Sequence, residues 1–324
     1  MSLPRKNLRL PTWIAPQLAT LVDAAPASTD WIHETKFDGY RILARRSGRE
    51  VQLFSRNQKT YTHKFPDIVS SLLKLSCKEV FLDGEITVLD ANGHSRFQLL
   101  QNALKGEINP PLVLYLFDLL FVDGEDLREL PLLERKNRLE KLLKPLRKSA
   151  NVRFSGHIVG NGPKIYKAAC SMRFEGIICK AAQAPYLSGR TKTWLKCKCT
   201  GREEFLIVGF TQHSKHSKQI GALLLGTRKA KGGGIQYRGK VGTGFSDKLR
   251  RELFASLTCL VKGSPTVDSA PRLRGVTWVK PKKIAEIEFT EKTQGGLLRH
   301  SVFLGVREDK AARDVVEERK MKLV

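Results

Sequence analysis

The sequence predicts an α+β protein of two domains, the second of them built mainly from short β-strands. The length of 324 residues favours two domains over one. A hydrophobic content of 41% is enough for two substantial cores. Because the spacing of strands and turns changes near Thr200–Glu204, we expect a first domain at residues 1–202 and a second at residues 203–324.

Alternating or unbroken apolar runs predict strands in the first domain, and apolar residues spaced three and four apart predict its helices. The first 30 residues contain several prolines and indicate an extended arm packed on this domain. Trp31–Arg46 has the pattern of a β-hairpin turning at Asp38-Gly39. The other predicted strands are Val51–Ser55, Val80–Val88, Leu112–Phe121 and Trp194–Cys199, and the predicted helices are Pro66–Leu75, Leu132–Leu146 and Ile165–Phe174.

The second domain combines short strands with glycine-rich turns such as Gly232-Gly233-Gly234. A single amphipathic helix is expected around Asp247–Val261, and a short charged helix after Lys310. About five strands and one helix fit a small barrel of the OB type, with an irregular β-sandwich as the alternative. The predicted strands are Phe205–Phe210, Ala222–Thr227, Ile235–Val241 and Ile284–Phe289.

The chain carries a large positive charge, which points to a polyanionic partner. Lys+Arg minus Asp+Glu is 57 − 32 = +25, and both predicted domains contribute: 33 − 19 = +14 in residues 1–202 and 24 − 13 = +11 in residues 203–324. Nucleic acid is the commonest partner of such a surface. The alternative is a generally basic, solvated surface.

The cysteines do not predict a structural zinc site. There are six, with no Cys-x₂-Cys pair and no second Cys/His pair at zinc spacing. The sequence also shows no secretory signal and no apolar run long enough to cross a bilayer. These features indicate a reducing, intracellular compartment.

The segment His33–Ile42 holds one lysine, Lys36, just before the Asp38-Gly39 turn. A lysine fixed in a rigid segment is most often half of a structural ion pair. It becomes a nucleophile when its neighbours lower the pKa of its amine.

The segment Val80–Val88 places Asp83 and Glu85 within an apolar strand. Burial of such a carboxylate requires a cation or hydrogen-bond donors, so Glu85 is a candidate metal or ribose ligand, whereas Asp83 could be an exposed turn residue.

Trp194–Cys199 alternates with period two and places Lys196 and Lys198 on one face of a strand. Two ammonium groups side by side repel each other unless an anion lies between them, and a phosphate would fit. The alternative is a solvated edge strand protected by its lysines.

Seven short segments follow one another in a characteristic order along the chain. They are Lys36-Phe37-Asp38-Gly39-Tyr40-Arg41, Ser55-Arg56-Asn57, Asp83-Gly84-Glu85, Phe117-Asp118, Glu175-Gly176-Ile177-Ile178, Trp194-Leu195-Lys196-Cys197-Lys198 and Arg307-Glu308-Asp309-Lys310. This order resembles that of the covalent nucleotidyltransferases, which include ATP-dependent DNA ligases, RNA ligases and mRNA capping enzymes.

Within that superfamily, the chain is most similar to the ligase domain of the bacterial end-joining ligase D. The similar segments are Phe97–Asn102, Leu132–Lys136, Tyr186–Arg190 and Leu298–Lys310. One position departs from the family pattern, because Gln58 replaces the glycine that usually follows Ser-Arg-Asn. If that turn needs a positive φ, Gln58 strains it and affects the placement of Arg56. The chain is expected to be either a free-standing ligase or a domain excised from a longer protein.

The resemblance implies an N-terminal adenylation domain of antiparallel sheets with helices, similar to the ATP-grasp fold, followed by an OB-fold domain. It also implies a three-step reaction: Lys36 becomes a lysyl-AMP, AMP passes to the 5′-phosphate of a nick, and the 3′-hydroxyl then displaces AMP. The implied co-substrate is ATP, assisted by Mg²⁺ or Mn²⁺. This cation, Lys196 and Lys198 would each lower the pKa of Lys36 and so favour its neutral amine.

Family analogy also gives each residue a role. Glu34 and Thr35 would read the adenine edge, Phe117 would stack on the base, and Arg41 would position ribose or phosphate. Core packing is the alternative for Phe117, and a solvated helix start is the alternative for residues 307–310. The implied catalytic residues are Lys36, Asp38, Lys196 and Lys198, the metal ligands Glu85 and Glu175, and the further nucleotide ligands Arg56, Arg307 and Lys310.

The implied partner is nicked or broken double-stranded DNA, bound by a monomer in the bacterial cytoplasm at the nucleoid. A Ku-type end-binding protein is an expected recruiting partner, and no membrane is expected. Two alternatives stay open: an RNA ligase or capping enzyme of the same chemistry, and a non-catalytic DNA-end-binding module. Candidate contacts to the DNA backbone are Arg56, Arg190, Lys215, Lys218, Arg238 and Lys240.

Overall fold

The computed structural model describes residues 8–146, 149, 151–199, 201–214, 216–229, 233–271, 273–316 and 321. The chain divides into two compact units, residues 1–199 with residues 319–324, and residues 200–318. Each unit contains hydrophobic clusters of its own.

The described part of the first unit is built mainly from two β-sheets. Its strands are β1 (Gln17–Leu21), β2 (Trp31–Thr35), β3 (Tyr40–Ser47), β4 (Glu50–Ser55), β5 (Glu79–Val88), β6 (Leu112–Val122), β7 (Glu125–Asp126), β8 (Val152–Phe154), β9 (Ile158–Val159), β10 (Gly176–Ala181) and β11 (Gly189–Lys198). One sheet has five strands in the order β1-β11-β10-β2-β9. The other has the order β4-β3-β5-β6-β7, with β8 paired to β6.

Helices cover the outer sides of these sheets. They are α1 (Pro66–Leu72), α2 (Phe97–Leu104), α3 (Leu132–Leu143) and α4 (Gly162–Ser171), with 3-10 turns at Thr62–Lys64 and Lys144–Leu146. Apolar residues of α1, α2 and α3 share one hydrophobic cluster with β3, β5 and β6. Helix α4 packs against β10 and β11.

The predicted hairpin over Trp31–Arg46 is wrong, because its two strands belong to different sheets. Strand β2 pairs with β9 and β10, whereas β3 pairs with β4 and β5. The chain crosses from one sheet to the other between Thr35 and Tyr40. Gly39 is required at this crossing, since a Cβ there would lie 2.0 Å from the carbonyl oxygen of Ile86. The Asp38-Gly39 pair therefore carries the chain between sheets and does not close a turn.

The described part of the N-terminal segment, from residue 8, packs on the first unit, as the sequence predicted, and it also contributes a strand. Strand β1 pairs in parallel with β11. Leu10 and Ile14 join a hydrophobic cluster that includes Phe117 from one sheet and Trp194 from the other. This cluster holds the two sheets together beside the crossing.

The second unit contains one large antiparallel sheet and one helix in its described part. Its strands are β12 (Gly201–Gln212), β13 (Ile220–Arg228), β14 (Ile235–Val241), β15 (Val276–Trp278), β16 (Ile284–Phe289), β17 (Glu291–Lys292), β18 (Leu298–Arg299) and β19 (Val302–Arg307). The strand order is β14-β13-β12-β16-β19, β15 pairs with β12, and β17 pairs with β18.

Helix α5 (Asp247–Thr258) covers the core of the second unit. The Ser246 hydroxyl caps it by accepting a hydrogen bond from the Leu249 N–H at 3.2 Å. Leu253 and Leu257 face the core. After Lys310 the described residues form a 3-10 turn at Ala312–Asp314 and isolated β-bridges at Val316 and Met321. The rest of the predicted charged helix falls outside the described residues.

Cys170 near the end of α4 is disulfide-bonded to Cys199, which follows β11. The sequence predicted a reducing compartment, in which such bonds are rare. This pair was missed because α4 brings Cys170 to the end of β11, with Cα atoms 5.2 Å apart. In the described parts of the chain, no helix has the length and apolarity to span a bilayer.

Candidate active site

Lys36 lies at the point where the chain leaves one sheet for the other. Its backbone N–H donates to the carbonyl of Gly176 at 3.0 Å. Its Nζ donates to Oε1 of Glu175 at 2.5 Å, and the Lys36 side chain is 18% exposed. Two segments distant in sequence therefore meet at one partly exposed ion pair.

The charges around Lys36 favour its protonated form. Burial alone would lower the pKa of its amine, but the carboxylate of Glu175 and, more weakly, those of Asp38 and Glu85 raise it above its ordinary value. The sequence-based argument expected Lys196, Lys198 and a divalent cation to depress this pKa. The carboxylates shift the pKa of Lys36 in the direction opposite to that expectation.

Glu85 and Glu175, the predicted metal ligands, both raise the pKa of Lys36. Within the described ranges, no group of three or more Asp, Glu, His or Cys side chains is arranged to hold an ion. Mg²⁺ is usually held by one or two carboxylates together with substrate phosphates and water. The donor set beside Lys36 therefore fits a cation that arrives with a nucleotide.

Strand pairing aligns Lys196 and Lys198 across the sheet with residues of the other motif segments. Lys196 is opposite Ile178, which in turn is opposite Glu34. Lys198 is opposite Gly176, whose carbonyl accepts from the Lys36 N–H. Paired residues point to the same side of a sheet, so both lysines project from the face that carries Glu34.

Arg41 is held by a buried carboxylate. Its Nε and Nη2 donate to the two oxygens of Asp83, each at 2.5 Å, and the Tyr186 hydroxyl donates to Asp83 at 2.7 Å. Burial would lower the pKa of Arg41, but Asp83 raises it above its usual value. Asp83 is fully buried, so its alternative as an exposed turn residue is wrong.

The Glu34 carboxylate lies in a buried cluster with two lysines that the sequence-based analysis did not assign. Lys136 donates to its Oε1 at 2.7 Å, and Lys180 donates to its Oε2 at 2.9 Å. Lys136 also donates to the Ser155 carbonyl at 2.9 Å. Burial would raise the pKa of Glu34, but the two ammonium groups lower it. Burial, with Lys136 adding to it, lowers the pKa of Lys180 to about 8.

Phe117 lies in the apolar cluster between the sheets and is 7% exposed. The Lys180 ammonium lies 4.2 Å from its ring centroid, and the Arg41 guanidinium carbon lies 4.6 Å from it. This placement supports core packing, the alternative considered for Phe117. Its stacking on adenine stays a prediction.

Asp38 and Thr35 flank Lys36 and fix the backbone around it. The Asp38 carboxylate accepts from the Phe97 N–H at the start of α2 at 2.9 Å, and its own N–H donates to the Ser95 hydroxyl at 2.9 Å. Thr35 ends β2 opposite Ile177. The position of the lysine is thus determined on both sides.

Arg56 lies in a tight turn after β4. The Gln58 N–H closes this turn by donating to the Ser55 carbonyl at 2.9 Å. Gln58 has a φ of 61°, the left-handed conformation that favours glycine. The family glycine is therefore replaced at a position that does need a positive φ.

Arg307 and Lys310 belong to the second unit and pair with carboxylates of that unit. Their predicted contacts with a nucleotide stay predictions.

One candidate DNA contact is wrong because its side chain is buried. Arg238 is 3% exposed, and its Nε donates to the Thr227 hydroxyl at 2.8 Å. Its Nη2 also donates to Oε1 of Gln236 at 2.9 Å, so this guanidinium is held inside the second unit. Arg190, Lys218 and Lys240 are exposed, and Lys215 lies outside the described residues.

Comparison with protein families identifies the chain. Residues 16–198 match the ATP dependent DNA ligase domain, and residues 216–310 match the ATP dependent DNA ligase C terminal region. The chain belongs to the ATP-dependent DNA ligases. Membership favours a DNA ligase over the RNA ligase and capping-enzyme alternatives.

Curated relatives include end-joining proteins that are longer than this chain. The multifunctional non-homologous end joining protein LigD of Pseudomonas aeruginosa is 38% identical over 314 residues, which are 96% of this chain and 37% of that protein. The LigD protein of Mycobacterium tuberculosis is 32% identical over 311 residues, 94% of this chain and 40% of that protein. The chain thus spans about two fifths of the length of these relatives.

A solved structure of mycobacterial DNA ligase D complexed with ATP and MES matches with a TM-score of 0.68 and 31% identity, over 94% of this chain and 98% of that one. The ligase domain of M. tuberculosis LigD matches with a TM-score of 0.51. These similarities confirm the predicted fold, an adenylation domain followed by an OB-fold domain.

Proposed function

We propose that this chain seals breaks in DNA that carry a 5′-phosphate and a 3′-hydroxyl, through a lysyl-AMP formed on Lys36, and that it serves end-joining repair. The observation that carries the proposal is the position of Lys36, partly exposed between the sheets and bonded to Glu175. The end-joining role rests on relatives that are named non-homologous end joining proteins.

In the first step, the lone pair of Lys36 Nζ attacks the α-phosphorus of ATP. The bond from that phosphorus to the bridging oxygen breaks, and pyrophosphate leaves with the electron pair. Lys198 and Lys196 project from the same face and would stabilise the charge that develops on the phosphate oxygens. Asp38 keeps the backbone of Lys36 in place through its contact with α2.

The amine must lose its proton before it can attack. Glu175 Oε1, at 2.5 Å, is the group positioned to receive that proton. The same carboxylate raises the pKa of Lys36. Formation of the neutral amine therefore requires that the negative charge of Glu175 be offset. A divalent cation held by Glu85 and Glu175 would supply that offset and would also balance phosphate charge.

In the second step, an oxygen of the DNA 5′-phosphate attacks the α-phosphorus of the adduct, the N–P bond breaks and Lys36 regains a proton. In the third step, the 3′-hydroxyl attacks the 5′-phosphorus and AMP leaves. Arg56 and the exposed Arg190, Lys218 and Lys240 are candidate contacts to the DNA backbone, which carry little sequence information.

Four finer assignments belong to the same proposal. The cation is Mg²⁺ or Mn²⁺, because the donors beside Lys36 are oxygens. The recruiting partner is an end-binding protein of the Ku type. The enzyme acts as a monomer in the bacterial cytoplasm at the nucleoid. Arg307 and Lys310 orient the leaving pyrophosphate and act only in the first step.

Sealing of a singly nicked DNA duplex with ATP and a divalent cation tests the proposal. We expect the wild type to join the strands and Lys36→Ala to leave them nicked. Lys167→Ala, at an exposed position on α4, is the matched control and should seal normally. Replacing ATP by GTP, or the DNA nick by an RNA nick, should reduce joining strongly. Joining by Lys36→Ala would overturn the proposal.

A further inference from the structure

Six charged side chains form a balanced network on one face of the sheet in the second unit. The basic members are Arg202, Arg307 and Lys310, and the acidic members are Glu204, Glu286 and Asp309. Strand β12 supplies Arg202 and Glu204, β16 supplies Glu286, and Arg307 ends β19.

The register of these strands explains why the network forms. Glu204 of β12 is directly opposite Glu286 of β16. Two carboxylates in that position repel each other. Arg202 lies two residues before Glu204, and Arg307 lies two residues after Gly305, the residue opposite Glu286. Both guanidinium groups therefore reach the carboxylates diagonally and offset the repulsion.

Glu286 bridges the two arginines with its two oxygens. Its Oε2 accepts from Nη1 of Arg307 at 2.7 Å, and its Oε1 accepts from Nε of Arg202 at 3.0 Å. The side chains of Arg307 and Glu286 are each 8% exposed. Removing a carboxylate from such a site leaves buried positive charge without its partner.

The other side of the Arg307 guanidinium is bound to Asp309. Nε donates to Oδ1 at 2.8 Å, and Nη2 donates to Oδ2 at 2.7 Å. Burial would lower the pKa of Arg307, but Asp309 and Glu286 raise it well above its ordinary value. Arg307 is thus clamped between two carboxylates, and Lys310 is tied to the same network by its ion pair with Glu204.

We propose that Glu286 is a positioning residue for the adenylation step, which holds Arg307 and, through it, the segment that ends in Lys310 in the geometry needed to meet the triphosphate of ATP. This inference rests on the proposed function. Glu286 acts through Arg307 and does not contact the nucleotide itself. Because that segment serves only the first step, loss of Glu286 affects adenylation and spares the sealing of DNA that is already adenylated.

The test compares Glu286→Gln with Glu288→Gln. Both variants remove one carboxylate from β16, but Glu288 is exposed and lies two residues further along. Two rates are measured for each: labelling of the protein with radioactive ATP, and joining of a nick whose 5′ end already carries AMP, without added ATP. We expect Glu286→Gln to label at least about tenfold more slowly, a change of about 1.4 kcal/mol in barrier. Its joining of the adenylated nick should stay within about twofold of the wild type, and Glu288→Gln should match the wild type in both.

Two further variants distinguish positioning from general stability. Glu286→Asp keeps the charge and should recover part of the labelling rate. In an Arg307→Ala background, Glu286→Gln should slow labelling little further, because both changes remove the same Glu286–Arg307 interaction. Equal slowing of labelling and joining, or normal labelling by Glu286→Gln, would overturn the inference. Absence of label on the wild type would instead reject the proposed function.

Discussion

Two glutamate–lysine pairs in the first unit have similar geometry and different surroundings. Lys36 donates to Glu175 at 2.5 Å with its side chain 18% exposed. Lys136 donates to Glu34 at 2.7 Å with its side chain 0% exposed, and Lys180 binds the same carboxylate. The pair at Lys36 can be opened by a substrate or a cation. The Lys136 pair is enclosed by the fold and bonded to the Ser155 carbonyl.

The difference shows why a short distance alone does not identify a reactive lysine. Partial exposure leaves room for a nucleotide, and a single carboxylate partner can be neutralised by a cation. A buried lysine with additional backbone contacts has no room for a nucleotide beside it, and a cation cannot reach its carboxylate partner. The proposed function therefore uses Lys36 for chemistry and Lys136 for the placement of Glu34.

The largest expected effect on stability is that of Lys136→Met. It leaves the buried Glu34 with only one lysine, and we expect a loss of about 3 to 4 kcal/mol in the free energy of unfolding. Lys36→Met breaks the more exposed pair and should cost less than about 1 kcal/mol. Urea unfolding of both variants gives the two values. Equal losses would remove the distinction between the two pairs.

The disulfide supports the Lys36–Glu175 pair and not the Lys136–Glu34 pair. Cys199 follows Lys198 in sequence, and its N–H donates to the Glu175 carbonyl at 2.9 Å. We expect loss of the bond, by reductant or by Cys170→Ser with Cys199→Ser, to lower the free energy of unfolding by about 3 kcal/mol. Labelling with ATP should slow as well, because Glu175 and Lys198 lose their anchor. Cys259→Ser, an exposed thiol, is the control, and an unchanged unfolding midpoint in reductant would contradict this expectation.

The buried cluster of Glu34, Lys136 and Lys180 should also affect how the free energy of unfolding depends on pH. Burial holds the pKa of Lys180 at about 8, below the value of about 10.4 in an unfolded chain. Between these two values the unfolded state binds more protons, so the stability contributed by Lys180 rises with pH. We expect the wild type to gain about 2 kcal/mol relative to Lys180→Met from about pH 8 to about pH 10. A constant difference between the two proteins would show that Lys180 is not desolvated.

The smallest expected effect concerns the backbone of the turn after β4. Gln58→Gly relieves a positive φ at the turn that holds Arg56. We expect a gain of about 0.5 to 1 kcal/mol in the free energy of unfolding, since relief of strain exceeds the entropy added to the unfolded chain. Asn57→Gly is the control at the neighbouring position. Destabilisation by Gln58→Gly would mean that the glutamine side chain makes a compensating contact.

Much of the fold could be predicted from the sequence, because strand periodicity is local. The bounds of Ile235–Val241 and Ile284–Phe289 were predicted as the structure has them. The failed hairpin at Lys36 shows the limit. Which strand a segment pairs with depends on distant residues, and Gly39 fits both a turn and a close crossing between sheets.

The buried lysines were missed for a different reason. Lysine is usually exposed. Lys180 lies in strand β10, and only for Lys136 could the position on a helix have given a signal. Leu132, Lys136, Leu139 and Leu143 lie on one side of α3, so the charge at Lys136 interrupts an apolar stripe. A cation in such a place requires a buried anion, and here the anion is Glu34, 102 residues earlier in the chain.

The most direct test of the assignment of Lys36 is to locate the AMP on the protein. The wild type is incubated with α-labelled ATP and a divalent cation, then digested and mapped by mass spectrometry. We expect an acid-labile adduct on Lys36, none on Lys136 or Lys180, and no label on Lys36→Ala. An adduct on either buried lysine, or label that survives Lys36→Ala, would contradict the account.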